Sequence, residues 1–303
     1  MSSPPRVSVI IPHLNTPALL TRCLTSVAAQ QLDHGSAEII VVDNGSTVDL
    51  SGVRAAFPQA AFLLEPQPGP GLARNRGAAA AKAHVLAFID ADCRAAPGWL
   101  QAAVDAVESD PERGVFGGDI RIDFADPAHP TGIEAFEAVF GFRQKLYIET
   151  KHFSVTANLA MAPAVHAAVG GFAGIDKAED LDWGLRARAM GYVTRYRPDM
   201  LVLHPARDSF AALANKWRRL IRHDWNAHRA SGASVWRWRA RAAALVAAVP
   251  VEVPRFLLSD RISGLGNCWR GALVLARIRW FRAGEMLRVV SSENDTNVWN
   301  TAP

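Results

Sequence analysis

Four short apolar runs, interleaved with helical patterns and closed by turn-forming residues, constrain this 303-residue chain more than any other feature. The first is Val7-Ser8-Val9-Ile10-Ile11-Pro12, after which Thr16-Pro17 supplies an N-cap and an N1 proline for a helix through Gln30. Glu38-Ile39-Ile40-Val41-Val42 is the second and stops at Asp43-Asn44-Gly45-Ser46-Thr47. Ala61-Phe62-Leu63-Leu64 is the third, followed by Gly69–Gly77 opening a helix, and the fourth runs from Ala83 to Ile89. Strands that alternate with helical segments build βαβ units. The expected fold class is therefore α/β, with a mostly parallel central sheet flanked by helices.

Composition agrees: at 50% hydrophobic and 20% charged residues, a chain of this length buries a large core, with one domain and an appendage as the natural count. Met1–Arg6 is short and polar, with no targeting pattern. The longest uncharged apolar stretch, Ala242–Val251, holds Pro250 and falls well short of the ~20 residues of a spanning helix. Cys23, Cys93 and Cys268 are odd in number and lack metal-ligand spacing, so a reduced, cytoplasmic protein is expected.

The fourth run ends at Asp90-Ala91-Asp92. Ligands of open α/β sheets bind beyond the carboxyl ends of strands. Two carboxylates placed this closely repel unless a cation lies between them. Oxygen ligands suit Mg²⁺ or Mn²⁺, which also take oxygens from a substrate phosphate. The alternative is a solvated turn whose carboxylates cap the next helix. Gly69–Gly77 is neither G-x-G-x-x-G nor a P-loop, yet Arg74 and Asn75 on its opening turn are candidates to meet a base or diphosphate, helped by helix N-terminal amides.

Taken in order, "VSVIIPHLN", "EIIVVDNGST", "GPGLARNRG", "VLAFIDADC", "ANLAMAP…GGF" and "KAEDLDWGLRARAMG" resemble the family 2 glycosyltransferases of the GT-A fold. The likeness extends over roughly residues 6–205, about two thirds of the chain. It implies a nucleotide-sugar donor, a Mn²⁺ or Mg²⁺ cofactor and a single inverting displacement. It places Pro12 and Asp43 at the nucleotide base, although a strand-ending proline and a tight Asp-Asn-Gly turn are structural alternatives. Asp92 is implied to coordinate the cation, Asp90 to reach it through water or to contact the ribose, and His204 to be a further ligand. Asp180 is the implied general base, with Glu179 orienting it or the acceptor. Acidic residues in a first helical turn also complement the helix dipole, which is the plain alternative for this pair. Trp183 is a candidate to stack on an acceptor sugar, against core packing, and Asn158 to line the acceptor pocket.

A nucleotidyltransferase would carry a glycine-rich basic loop after the first strand, where Pro12-His13-Leu14-Asn15-Thr16 stands instead. A non-catalytic scaffold with a degenerate transferase fold is opposed by the joint presence of Asp43, Asp90, Asp92, Glu179 and Asp180. The Gln-x-x-Arg-Trp motif of processive synthases in this family is missing at Lys216–Trp225, which favours transfer of a single sugar; the basic, tryptophan-rich C-terminal segment makes a glycan or lipid-linked acceptor, in cell-surface polysaccharide or glycolipid synthesis, the leading expectation.

Charge divides the chain. Residues 216–288 hold 15 Lys/Arg against 4 Asp/Glu, a net of +11, together with Trp217, Trp225, Trp236, Trp238, Trp269 and Trp280. Arginine- and tryptophan-rich helices favour an anionic membrane surface, so peripheral attachment to the cytoplasmic face of an inner membrane is one expectation. Packing against the catalytic domain or a second subunit is the other, with a homo-oligomer as its consequence. Nucleic acid is set aside because no recognition motif accompanies the arginines. The expected organisation is a catalytic domain over 1–210, a basic helical appendage over 211–290 and a disordered polar tail over 291–303.

Overall fold

The computed structural model describes residues 4–175 and 177–291, in two compact units. One comprises the chain up to Asp123 together with Arg143–Pro205; the other comprises Phe124–Phe142 with the chain from Ala206 onward.

The first unit is an eight-stranded sheet with helices. Its strands are β1 (Val7–His13), β2 (Ala37–Asp43), β3 (Ala60–Leu64), β4 (Val85–Ile89), β5 (Arg94–Ala95), β6 (Val115–Asp123), β7 (Asn158–Met161) and β8 (Thr194–Pro205). They lie in the order β3-β2-β1-β4-β7-β6-β8-β5. β1 runs parallel to β2 and β4, β3 parallel to β2, and β6 parallel to β8. β7 is antiparallel to both β4 and β6, and the two-residue β5 is antiparallel to β8. The sheet is thus mostly parallel, as the alternating pattern predicts. β1 and β4 sit inside it and every residue of each is buried, which accounts for their largely apolar sequences; the buried Ser8 of β1 donates to the Glu38 carboxylate.

The helices of this unit are α1 (Pro17–Ala28), α2 (Ser51–Ala56), α3 (Pro70–Ala80), α4 (Trp99–Ser109), α6 (Gln144–Lys151), α7 (Pro163–Val169) and α8 (Glu179–Ala189); α5 (Gly132–Phe140) belongs to the other unit. Thr16 stands at the cap position of α1, but its side chain makes no capping bond, and the helix stops at Ala28. The Gln30 amide instead donates to the Ser26 and Ala96 carbonyls, leaving the helical path. α3 packs tightly on β1: a Cβ on Gly77 would sit 2.5 Å from Ile10 Cγ2. β8 takes in the apolar run Met200–Leu203 and pairs with β6 along the whole length of β6, with one register shift at Gly118/Asp119. Gly118 admits no side chain there, since a Cβ would lie 2.1 Å from the Met200 carbonyl. β1, β2 and β4, being parallel, deliver His13, Asp43 and Asp90 to one end of the sheet.

The second unit is helical: α5, α9 (Phe210–Ala230), α10 (Val235–Ala247), α11 (Val249–Glu252), α12 (Pro254–Leu258) and α13 (Leu265–Ser291). A capping box starts α5: Glu134 N–H donates to Thr131 Oγ1 at 3.2 Å, and Thr131 N–H donates to Glu134 Oε2 at 2.7 Å. Phe136 of α5, Leu213, Phe256, Leu275 and Ile278 form one apolar cluster; Ile221, Trp225, Trp238 and Met286 form another. Glu137, 1% exposed, is held by the Arg207 guanidinium and by Arg207 N–H at 2.8 Å. These contacts draw residues 124–142 to the C-terminal helices, although they interrupt the sequence of the sheet unit; a continuous 1–210 domain does not anticipate this. The tryptophans divide: Trp225 and Trp238 are core, while Trp236, Trp269 and Trp280 face solvent. No described helix is long and apolar enough to cross a membrane. Of the expected tail, residues 292–303 lie outside the described residues.

Candidate active site

Above the carboxyl ends of β1, β2 and β4 lies a cleft of about 420 Å³. Its wall takes Pro12 and His13 from the end of β1, Asn44 from just past β2, Pro70 and Arg74 from α3, Asp90 and Asp92 from past β4, Thr156 from before β7, and Glu179 and Asp180 from the start of α8. Four acidic groups from two distant segments thereby share one cavity.

Arg74 organises three of them. It is 3% exposed; Nη2 donates to Asp90 Oδ1 at 2.6 Å and Nη1 to Glu179 Oε1 at 3.2 Å. Burial disfavours the guanidinium charge, but Asp90, Asp180 and Glu179 outweigh it and hold the pKa above its ordinary value. Arg74 is therefore a carboxylate bridge in this structure, not a cation facing open space. Asn75 is structural as well: its side chain exchanges two hydrogen bonds with the Phe172 backbone, at 2.8 and 2.9 Å, tying α3 to the segment that precedes α8.

Asp180 has a different environment. Its Oδ1 accepts from the Thr156 hydroxyl at 2.6 Å and from Thr156 N–H at 3.2 Å. Burial is the dominant influence and, with the repulsion of Glu179 and Asp90, overcomes Arg74 and Thr156 to push the carboxyl up to about 6. A carboxylate near neutrality is suited to accept a proton from a hydroxyl.

Asp92 and His204 form the third part. His204 Nδ1 lies 2.6 Å from the Pro205 carbonyl, so Nδ1–H donates there and Nε2 faces Asp92 Oδ2 at 3.3 Å. Burial pulls the imidazole down, yet Asp92 prevails and raises it; burial likewise raises Asp92, and His204 overrides this and lowers it. Asp92, Cys93 and His204 offer ligand atoms within 4.8 Å of one another. The Cys93 thiol is buried and raised well above its ordinary pKa, first by burial and then by Asp92 and Asp90, and it donates to Asp92 Oδ1 at 3.7 Å. A thiol is a soft donor, poorly matched to a hard cation such as Mg²⁺ or Mn²⁺, so the donors that fit one are Asp92 and the Nε2 of His204.

The remaining expectations separate. Pro12 lines the cleft, and Asp43 lies behind it, 8% exposed, its Oδ1 accepting from Ser46 N–H at 3.1 Å to close the Asp-Asn-Gly turn. Asn158 does not line the cleft. It is fully buried, with its amide donating to the Asp119 and Met200 carbonyls at 2.7 Å and its oxygen accepting from the Trp99 indole at 2.9 Å. Trp183 is likewise core, 2% exposed, packed on Phe172 and donating to the Gly170 carbonyl. Sequence reasoning missed Asn44, Thr156 and His13. Asn44 spans from β2 to α3, donating to the Glu65 and Gln67 carbonyls and accepting from Gly69 N–H. The one signal for Thr156 is a hydroxyl residue just ahead of an apolar strand.

A family model described as glycosyl transferase family 2 matches residues 8–180. The chain belongs to this family. Glycosyltransferase AglE of Haloferax volcanii is 30% identical over 223 residues, covering 72% of each protein. The uncharacterized glycosyltransferase alr2836 of Nostoc is 34% identical over 137 residues, but the match spans only 42% of that protein and 41% of this one. Among solved structures, a mannosyltransferase, PcManGT from Pyrobaculum calidifontis, in complex with GDP-Man and Mn²⁺, superposes with a TM-score of 0.58 at 21% identity, over 99% of this chain and 89% of that one. S. aureus TarS residues 1–349 give 0.51 at 16% identity, over 94% and 92%. These likenesses establish the GT-A fold, and family membership makes the chain a transferase enzyme. The matched span of this family 2 glycosyltransferase holds Asp43, Arg74, Asp90, Asp92, Glu179 and Asp180; His204 lies beyond it.

Proposed function

We propose that this family 2 glycosyltransferase moves one sugar, with inversion, from a nucleoside-diphosphate sugar to a hydroxyl of a glycan or lipid-linked acceptor. The observation that carries the reading is Asp180. It opens onto the same cleft as Asp90 and Asp92, and its carboxyl is raised to about 6. In this reading Asp180 takes the acceptor hydroxyl proton as the acceptor oxygen bonds to the anomeric carbon. The bond from that carbon to the diphosphate oxygen breaks, and its electron pair leaves with the diphosphate. Opposite-face attack inverts the centre in one step, with no enzyme-bound sugar.

Arg74 keeps Glu179 and Asp90 in register beside the base, while Thr156 fixes the orientation of Asp180. Asp92 and His204 are the residues that would hold a divalent cation, with Asp90 beside them. Such an ion supplies neutralisation of the charge that develops on the departing diphosphate. The GDP-Man and Mn²⁺ bound to PcManGT support a donor and cation of this kind. Pro12 and Asn44, which line the cleft, are assigned to the nucleoside together with Asp43 behind them.

The test is a thermal-shift panel of UDP, GDP and dTDP, each with and without Mn²⁺, followed by turnover of the matching sugar nucleotide by wild type and Asp180→Asn. A ligand of the folded state alone, present at a hundred times its Kd, stabilises by about 2.7 kcal/mol. One nucleotide shifting the melt, more so with Mn²⁺, and loss of transfer in Asp180→Asn are the expected results. Undiminished transfer by Asp180→Asn would sink the assignment.

A further inference from the structure

α13 carries two apolar faces, and only one is used. Cys268, Ala272, Leu275, Ile278 and Met286 are buried against the other helices of its unit. Leu265, Trp269, Leu273, Trp280 and Leu287 remain 78%, 64%, 53%, 67% and 49% exposed. At 100° per residue these five project within an arc of roughly 80°, and the stripe they make is roughly 33 Å long. Its two tryptophans alone offer on the order of 250 Å² of open apolar surface. Contiguous patches beyond a few hundred Å² mark interaction sites.

The charge beside the stripe says what covers it. Arg270 and Arg277 lie along one flank, both exposed, and neither has a carboxylate partner among the described residues. Three of the four acids between Lys216 and Arg288 are already paired with other arginines: Asp224 with Arg241 at 2.9 Å, Glu252 with Arg279 at 2.6 Å, and Glu285 with Arg288. The uncompensated charge is therefore positive, in a segment carrying 15 Lys/Arg against 4 Asp/Glu. A second copy would bring a like-charged face, which repels. An anionic lipid surface is complementary in both respects: headgroups take the arginines, and the tryptophans and leucines enter the headgroup–acyl boundary. We infer that the Leu265–Leu287 face of α13 lies flat on an anionic membrane, resting on it without crossing. This goes beyond the catalytic reading, for the face belongs to the helical unit and contains no cleft residue.

The experiment is flotation of the full chain with phosphatidylcholine vesicles, with and without phosphatidylglycerol, at low and high salt. Wild type is expected to float with the phosphatidylglycerol vesicles, less so at high salt, and with a blue shift of its tryptophan emission. The double variant Trp269→Ser/Trp280→Ser should lose roughly tenfold or more in partitioning while keeping the wild-type melting temperature, since both rings are exposed. Arg270→Gln/Arg277→Gln should lose the preference for phosphatidylglycerol and keep residual binding. Asp180→Asn should float as wild type does, so a failed catalytic reading leaves this result standing. No flotation of wild type at low salt would overturn the inference. So would wild-type flotation by the tryptophan variant, or a wild-type dimer that ignores vesicles and dissociates in that variant.

Discussion

Replacing Thr156 by valine removes a single oxygen from a site 1% exposed and nearly preserves the side chain's shape. That oxygen is the shorter of the two donors to Asp180 Oδ1, 2.6 Å against 3.2 Å for the backbone N–H. A hydrogen bond to a charged group contributes about 1.5–3 kcal/mol, which corresponds to about one to two pK units. Thr156 lowers the Asp180 pKa, so its loss raises it; the backbone donor survives, which favours the lower end of that range. Because the base acts ionised, the acid limb of kcat/KM should move from about 6 in wild type up to about 7 in Thr156→Val. At pH 6 the ionised fraction then falls from about half to about a tenth, a loss of about fivefold, whereas at pH 8 the two enzymes nearly coincide. Thr156→Ser, which keeps the hydroxyl, should restore the limb to its wild-type position. The assay is initial-rate transfer at low donor concentration from pH 5 to 9, once the panel has named the donor. A Thr156→Val profile lowered equally at every pH, with its limb unmoved, would refute the claim that Thr156 sets the base.

Three further outcomes follow from the same geometry. The folded-state pKa of Asp180 lies above its ordinary 3.8, so its protonation stabilises the fold below about pH 4 and that contribution is lost as pH rises through about 6. Asp180→Asn should accordingly be more stable than wild type at pH 8, by up to about 3 kcal/mol, and should lose the advantage by pH 4; equal melting temperatures throughout would contradict it. Asp92→Ala should abolish the Mn²⁺-dependent part of the nucleotide thermal shift while leaving any metal-free part, and a calorimetric titration showing unchanged Mn²⁺ dependence would remove Asp92 from the donor set. Arg74→Met should leave Asp90 and Glu179 without their shared cation; both are partly exposed, so the expected loss is about 1–3 kcal/mol rather than the larger penalty of a fully buried pair, read as a lowered melting temperature.

The sequence made the first four strands and the cleft carboxylates legible because burial on both faces of β1 and β4 writes itself as near-continuous apolar runs, broken only by Ser8 and the closing His13 of β1. β6 was hidden for the opposite reason: Gly117 and Gly118 break its pattern to admit Ser154 and Asn158 side chains. Asn158 illustrates a second limit. An asparagine near a strand end reads equally well as a ligand contact or as a buried hub, and only the three partners around it decide. Arg74 was recognisable as a site residue, but its carboxylate partners are 16 and 105 positions away, beyond any local pattern. The tryptophans of the helical unit posed a choice between core and surface that the structure splits: among the described residues Trp225 and Trp238 are buried, Trp217 is half-buried, and Trp236, Trp269 and Trp280 are exposed.

The divided origin of the helical unit has a consequence for making the protein. α5 leaves the ribosome with Phe136 and Glu137 unsatisfied, because Arg207, Leu213, Phe256 and Leu275 have yet to be synthesised. At about 5–20 residues per second, completing α13 takes on the order of ten seconds more. A chain cut at Pro205 would never supply these partners: it would keep an apolar helix and a stranded carboxylate between β6 and α6. The catalytic sheet is thus poorly suited to being excised by simple truncation, and a usable fragment would also need residues 124–142 replaced by a short polar connection.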